Sequence, residues 1–289
     1  MILEKSRLVL ESLVSSRVLD GTTAEQAYSI IDNGGVVGLA DPFLTVETVQ
    51  RTENCDGLIV LAVKTSSGGL RRRPYRYYLE EYPCVKREVA SRIARDVFHS
   101  FPSVLEHCYA SFLVEGCSRV CTHQLVRHRI ASYTQESLRF VAPDPAEELE
   151  LVSDAISTLE NVRRMRTSLR AEHFEDVLEF VWERFVLPPF LNDGEEAFKY
   201  TKMILENYRN YLVLLADGLK REEARRLLPI SVRSRILITA NLRSWKHIIT
   251  MRTDPRAQPE IRLVARIIDT ILGRRYSWWE ESQPLSLSP

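Results

Sequence analysis

"SVRSRILITANLRSWKHIITMRT", residues 231–253, decides the fold. Its first ten residues are strand-like, rich in Ile, Leu and Thr, and they run without a break into a segment that reads as a helix. A strand feeding straight into a helix, in a chain with several long helical stretches, places the protein in the α/β class, of the α+β type. The expected architecture is a single domain with a central mixed or antiparallel sheet flanked by long helices. On one continuous helix Asn241 and Arg252, eleven residues apart, share a face after about three turns. His247 then lies roughly 120° away from them.

Upstream, residues 195–218 read as a long amphipathic helix stopped by Gly218, the place for a left-handed terminus, followed by a short helix ending at Pro229. Residues 2–33 read as two helices broken at "LDGTT". Residues 34–52 and 56–67, rich in Val, Leu, Ile and Thr and bounded by glycines, read as a pair of strands. "SGGLRRRPYRYYLEEYP" (67–83) reads as a solvated loop packing on a neighbour, in preference to a nucleic-acid patch. A helix follows over 84–101, then a strand over 107–116, with Gly116 starting a helix over 117–129. Residues 146–187 read as helical, ending at Pro188-Pro189, and the tail 282–289 as disordered. No repeat or linker divides the chain, so residues 1–289 are expected to form one domain.

Lys+Arg and Asp+Glu both number 39 in 289 residues, so no global field recruits nucleic acid or an anionic membrane. The opening "MILEKSRLVLESLV" has charges inside it and reads as an amphipathic helix, not a secretory leader. No apolar run approaches the length of a membrane span. Five cysteines form no CxxC pair, which suits reduced thiols in the cytoplasm. Cys117, Cys121 and His123 lack a second ligand pair at metal spacing, so no metal site is expected.

Any anion site must therefore be local, and three separated blocks supply its groups. "SVLEH" offers Ser103 and Glu106. "RHRIASYTQESLR" offers Arg127, His128, Arg129, Ser137 and Arg139. "ARRLLP" and "NLRSWKHIITMRTDPRAQPEIR" offer Arg225, Asn241, His247 and Arg252. Like charges at this density repel and long side chains lose rotamer entropy when fixed, so an Arg-His-Arg run taken alone reads as a solvated helix face with a basic edge.

These blocks resemble the flavin-dependent thymidylate synthases. The signature Arg-His-Arg, seven residues, Ser stands here as Arg127, His128, Arg129 and Ser137, and the three blocks follow the family's order over about half the chain. The amino-terminal 85 residues match only loosely. The resemblance implies methylation of dUMP to dTMP with methylenetetrahydrofolate, FAD carrying hydride from NADPH, and a homotetramer with active sites at subunit interfaces. It implies flavin contacts for Ser103, Glu106, Arg127, His128, Arg129, Gln135, Asn241 and His247. It implies nucleotide contacts for Gln124, Arg127, Gln135, Glu136, Ser137, Leu138, Arg139, Arg225 and Arg252. Arg252 would be catalytic, stabilising negative charge at N3 and O4 of the uracil. Ser137 has no legible base beside it, so a phosphate-ligand role is expected over covalent attack. Departures stand at Thr134 and Glu136, where smaller or neutral residues are more usual, and at Phe101, Phe140 and Pro259. They leave as the alternative a non-catalytic flavin- or nucleotide-binding homologue of the same fold. A nucleic-acid-binding surface over 70–77 and 127–139 is a third reading, opposed by the zero net charge.

Overall fold

The computed structural model describes residues 43–187 and 194–280. The expectations for residues 2–33, Pro188-Pro189 and 282–289 lie outside the described residues. Four strands, β1 (Thr45–Arg51), β2 (Tyr109–Ser118), β3 (Ser132–Gln135) and β4 (Arg233–Asn241), form one sheet in the order β1-β2-β4-β3. All three pairings are antiparallel. The helices are α1 (Cys55–Ser66), α2 (Arg87–Ser100), α3 (Arg119–Leu125), α4 (Pro145–Met165), α5 (Glu175–Arg184), α6 (Gly194–Ala216), α7 (Leu242–Arg252) and α8 (Pro259–Arg275). Short helical turns complete the described fold, and the α+β reading holds.

Strand alternation builds the first core. Ile236, Ile238 and Ala240 of β4 are buried beside Ala110, Phe112 and Val114 of β2, while Arg235 is exposed. Against this face pack Trp245, Ile248 and Ile249 of α7 and Ile261, Val264 and Ile268 of α8. Burying each such side chain contributes about 1.5–3 kcal/mol. The Trp245 indole N–H donates to the Ala110 carbonyl at 2.9 Å, fastening α7 to β2. A second core lies among α4, α5 and α6. There Glu148 accepts two bonds from Arg184, at 3.0 and 3.1 Å, and one from the Tyr208 hydroxyl at 3.0 Å, tying the three helices together.

Several boundaries differ from the sequence reading. Residues 56–67 are not a strand paired to 34–52: they form α1, and β1 pairs with β2 instead. A short apolar run has no decisive period, and Asn54 settles it by capping the helix, its side chain accepting from the Gly57 amide at 3.1 Å. Gly116 does not start a helix. It is a bulge within β2, with φ of 77° and the Phe43 carbonyl 1.8 Å from where a Cβ would sit. The long helical stretch 146–187 divides into α4 and α5, with buried Leu169 anchoring the break. The 67–83 segment packs on a neighbour as expected, on α1 through Tyr78, but as short helical turns in place of a loop. Gly218, at φ of 84°, does end the stretch after α6.

The thiols are also corrected. Cys55 and Cys108 form a disulfide between the first residue of α1 and the entry to β2. Spacing rules see only neighbours, whereas this pair is 53 residues apart and is brought together by the fold. Among the described residues, no helix is long and apolar enough to cross a membrane.

Candidate active site

The junction of β4 and α7 sets the geometry. Asn241 ends the strand opposite Tyr109 and caps the helix, its side chain accepting from the Ser244 amide at 2.8 Å. Its backbone is extended, so the helical face begins at Leu242, one residue later than a continuous helix would have it. Asn241, Arg243, Ser244, His247 and Ile248 then line one wall of a cleft of about 580 Å³. Glu106 and the turn Arg127–Ile130 complete its lining. The volume lies within the range of small-molecule sites.

The turn exists because α3 stops early. Helix through residue 129 was expected, but α3 ends at Leu125. The Tyr133 hydroxyl from β3 shares its proton between the carbonyls of Leu125, at 2.8 Å, and His128, at 2.9 Å. The Leu125 carbonyl also accepts from the His128 amide at 3.1 Å, closing a tight turn on which Arg127, His128 and Arg129 project. Arg127 and Arg129 are exposed and have no hydrogen-bond or ion-pair partner among the described residues. Glu106 pairs with Arg243, a cleft residue the sequence reading missed. Ser103 is half-buried on the preceding turn and is not among the cleft-lining residues.

A second group of cations forms a corner around residues 135–141. The Ser137 carbonyl accepts from the Phe140 and Val141 amides, both at 3.0 Å, and its hydroxyl accepts from the Arg139 amide at 3.3 Å. Arg139 pairs with Glu222 at 3.8 Å, Arg221 donates to the Phe140 carbonyl at 2.8 Å, and Arg225 donates to the Glu222 carbonyl at 3.3 Å. The loop and the Arg225 turn thus meet within one chain. Arg119 donates to the Glu136 carbonyl at 2.6 Å. Burial and the neighbouring Arg225 lower the pKa of Arg119 below the ordinary arginine value. The Glu136 carboxylate pairs with Arg235 at 3.1 Å. Gln135 turns inward, donating to Thr122 at 2.8 Å and Ser234 at 3.1 Å. Half-buried Leu138 completes the loop. The Gln124 amide donates to Gln258 at 2.8 Å.

Arg252 joins the two regions. Its Nε donates to Nε2 of His128 at 2.9 Å and its Nη2 to the Gln124 carbonyl at 3.0 Å. Burial, then the charge of Arg252, then His247 lower the His128 pKa to about 4. The His247 ring stands edge-on, 5.8 Å from that of His128. Of the sequence candidates, the cleft unites Glu106, Arg127, His128, Arg129, Asn241 and His247, and the corner unites Glu136, Ser137, Leu138, Arg139 and Arg225.

Residues 47–276 match the family described as thymidylate synthase complementing protein (Thy1). The flavin-dependent thymidylate synthase of Pyrococcus abyssi is 36% identical over 200 residues, 68% of this chain and 66% of that protein. That of Thermococcus onnurineus is 35% identical over 181 residues, 62% of this chain and 60% of the relative. The matched stretch therefore spans less than two thirds of the length of these relatives. The enzyme of that name from Sulfurisphaera tokodaii is 31% identical over 222 residues, 77% of this chain and 70% of its own. A crystal structure of Thymidylate Synthase X from Helicobacter pylori with FAD and dUMP has a TM-score of 0.57 and 24% identity. It covers 83% of this chain and 99% of that one, a likeness of fold.

Proposed function

The chain belongs to the thymidylate synthase complementing protein family, and from that premise we propose that it is a FAD-dependent thymidylate synthase. It methylates dUMP to dTMP, with methylenetetrahydrofolate as carbon donor and NADPH as reductant. The observation that carries this reading is Arg252, tied on one side to the cleft through His128 and on the other to Gln124. A reaction between a cofactor and a nucleotide needs two sites that meet at a polarising group.

The cleft fits FAD. Arg127 and Arg129 are exposed cations without counter-ions in a concavity, as a diphosphate requires. Asn241, His247 and Glu106 line the same space and would orient the cofactor. When bound, FAD supplies hydride chemistry that no side chain here offers. The corner would hold dUMP: Ser137 and Arg139 on the phosphate, Arg225 from the adjoining turn, and Gln124, Glu136 and Leu138 around it. Gln135 would support that loop from inside. Two of the five N–H donors of Arg252 are taken, which leaves a free edge able to fork two acceptors of the uracil. A guanidinium there stabilises negative charge as the ring becomes nucleophilic at C5.

The non-catalytic alternative drew support from Glu136, whose carboxylate would repel a phosphate. Its pairing with Arg235 weakens that objection. We further propose that residues 1–289 form one domain and that the protein works in the cytoplasm. A homotetramer with sites at subunit interfaces would cover exposed Ile130 and Phe140 beside the site.

The test is spectroscopic. The purified protein is expected to be yellow, to be bleached by NADPH, and to recover its colour when dUMP and methylenetetrahydrofolate are added. Protein that takes up no FAD, or whose reduced flavin is indifferent to dUMP, would sink the reading.

A further inference from the structure

Arg252 is held from two directions, and the two holds differ in kind. The Gln124 carbonyl is backbone, and it accepts at any pH and with any side chain at 124. The other acceptor is a ring nitrogen, Nε2 of His128, which accepts only while it carries no proton. We propose that His128 is a positioning residue for Arg252: its neutral ring fixes the guanidinium, and through it the polarisation of the nucleotide. This inference rests on the thymidylate synthase reading for its consequence in turnover, but not for its geometry.

The surroundings support a ring kept neutral for this purpose. The His128 carbonyl is pinned by the Tyr133 hydroxyl at 2.9 Å, so the backbone beneath the ring cannot drift. Burial and two groups from α7, Arg252 and then His247, disfavour a positive charge on the ring. Arg127, Arg129 and Glu106 line the same cleft. The carboxylate of Glu106, the acidic group lining the cleft, is already paired with Arg243. A proton on Nε2 would replace an acceptor by a donor and set two cations 2.9 Å apart, so Arg252 would be released. Flavin contact alone would not need this arrangement, since a cationic ring would serve a diphosphate better.

Two measurements test the proposal on the intact, flavin-loaded protein. The first needs no activity. In protein with 15N-labelled imidazoles, His128 is expected to titrate below the ordinary histidine value, held down first by burial, and in Arg252→Ala to move up by the share that the guanidinium supplies. An unmoved His128 would overturn the coupling whatever reaction the protein performs. The second is single-turnover flavin reoxidation at saturating FAD and dUMP. His128→Gln, whose amide oxygen can accept without titrating, is expected to stay within about fivefold of wild type. His128→Leu is expected to lose about tenfold or more, as for one hydrogen bond to a charged group. In the Arg252→Ala background the same His128→Leu change should cost almost nothing further. Additive losses in the double variant, or equal losses for Gln and Leu, would overturn the proposal. Wild-type protein that shows no dUMP-dependent reoxidation would overturn the functional reading, and the titration would still decide the geometry.

Discussion

The cleft leaves two of its arginines unpaired, with Arg243 held by Glu106, whereas the corner engages each of its own. In the cleft, Arg127 and Arg129 stand exposed with no partner among the described residues. In the corner each arginine is already engaged: Arg119, Arg221 and Arg225 with backbone carbonyls, Arg139 and Arg235 with carboxylates. A ligand entering the cleft neutralises free charge. One entering the corner must exchange partners, because each new bond displaces an existing one. The cleft is therefore expected to bind by charge and shape together, and the corner to discriminate by geometry.

Substitutions test this contrast. Arg252 belongs to both regions, so its loss should be the most severe. Arg252→Ala is expected to retain FAD and dUMP but to slow dUMP-dependent reoxidation by two or more powers of ten, about 2.7 kcal/mol. Arg252→Lys should recover only part, because a point charge cannot replace a fork. A near-normal single-turnover rate in the alanine variant would take Arg252 out of the chemistry. Arg225→Ala should weaken dUMP binding about ten- to hundredfold, with the flavin spectrum intact. A titration showing unchanged nucleotide affinity would remove Arg225 from the corner.

Arg127→Ala is expected to lower FAD occupancy by about tenfold or less, since an exposed cation is screened by solvent. A variant that purifies with full flavin would mean that the free charge of the cleft serves something else. Ser137→Ala should be the mildest change. Losing one neutral hydroxyl contact lowers dUMP affinity about two- to tenfold and leaves turnover measurable. Abolished turnover with normal dUMP binding would instead make Ser137 a nucleophile.

Strong local patterns made part of this legible in the sequence. The strand over 233–241 and the glycine stop at 218 each depend on residues close in the chain, and the structure has a strand and a helix end there. What failed depends on residues distant in sequence. The apolar run 56–67 carries no period that separates strand from helix, and its cap at Asn54 decided it. The turn after α3 meets the Tyr133 hydroxyl, which the chain brings back only on β3. Gly116 offered a weak signal: a lone glycine inside a strand-like run marks a bulge as readily as an end. The Arg252–His128 contact joins positions 124 residues apart, and no spacing rule reaches that far. Arg243 was passed over because a single arginine on a helix usually faces water, and only the fold sets it against Glu106.

The Cys55–Cys108 bond closes residues 55–108 into a covalent ring, and the exposed arginines 71–73 and 76 sit within that ring. A protease that cuts after arginine can nick the ring at these exposed residues. Such a nick would not yield two molecules: the halves would stay joined and migrate as intact protein on a gel run without reductant. Adding a thiol to the same sample should separate them. Trypsin thus becomes a reporter of this crosslink in material taken directly from cells, and halves that part without reductant would show that the clasp is open there.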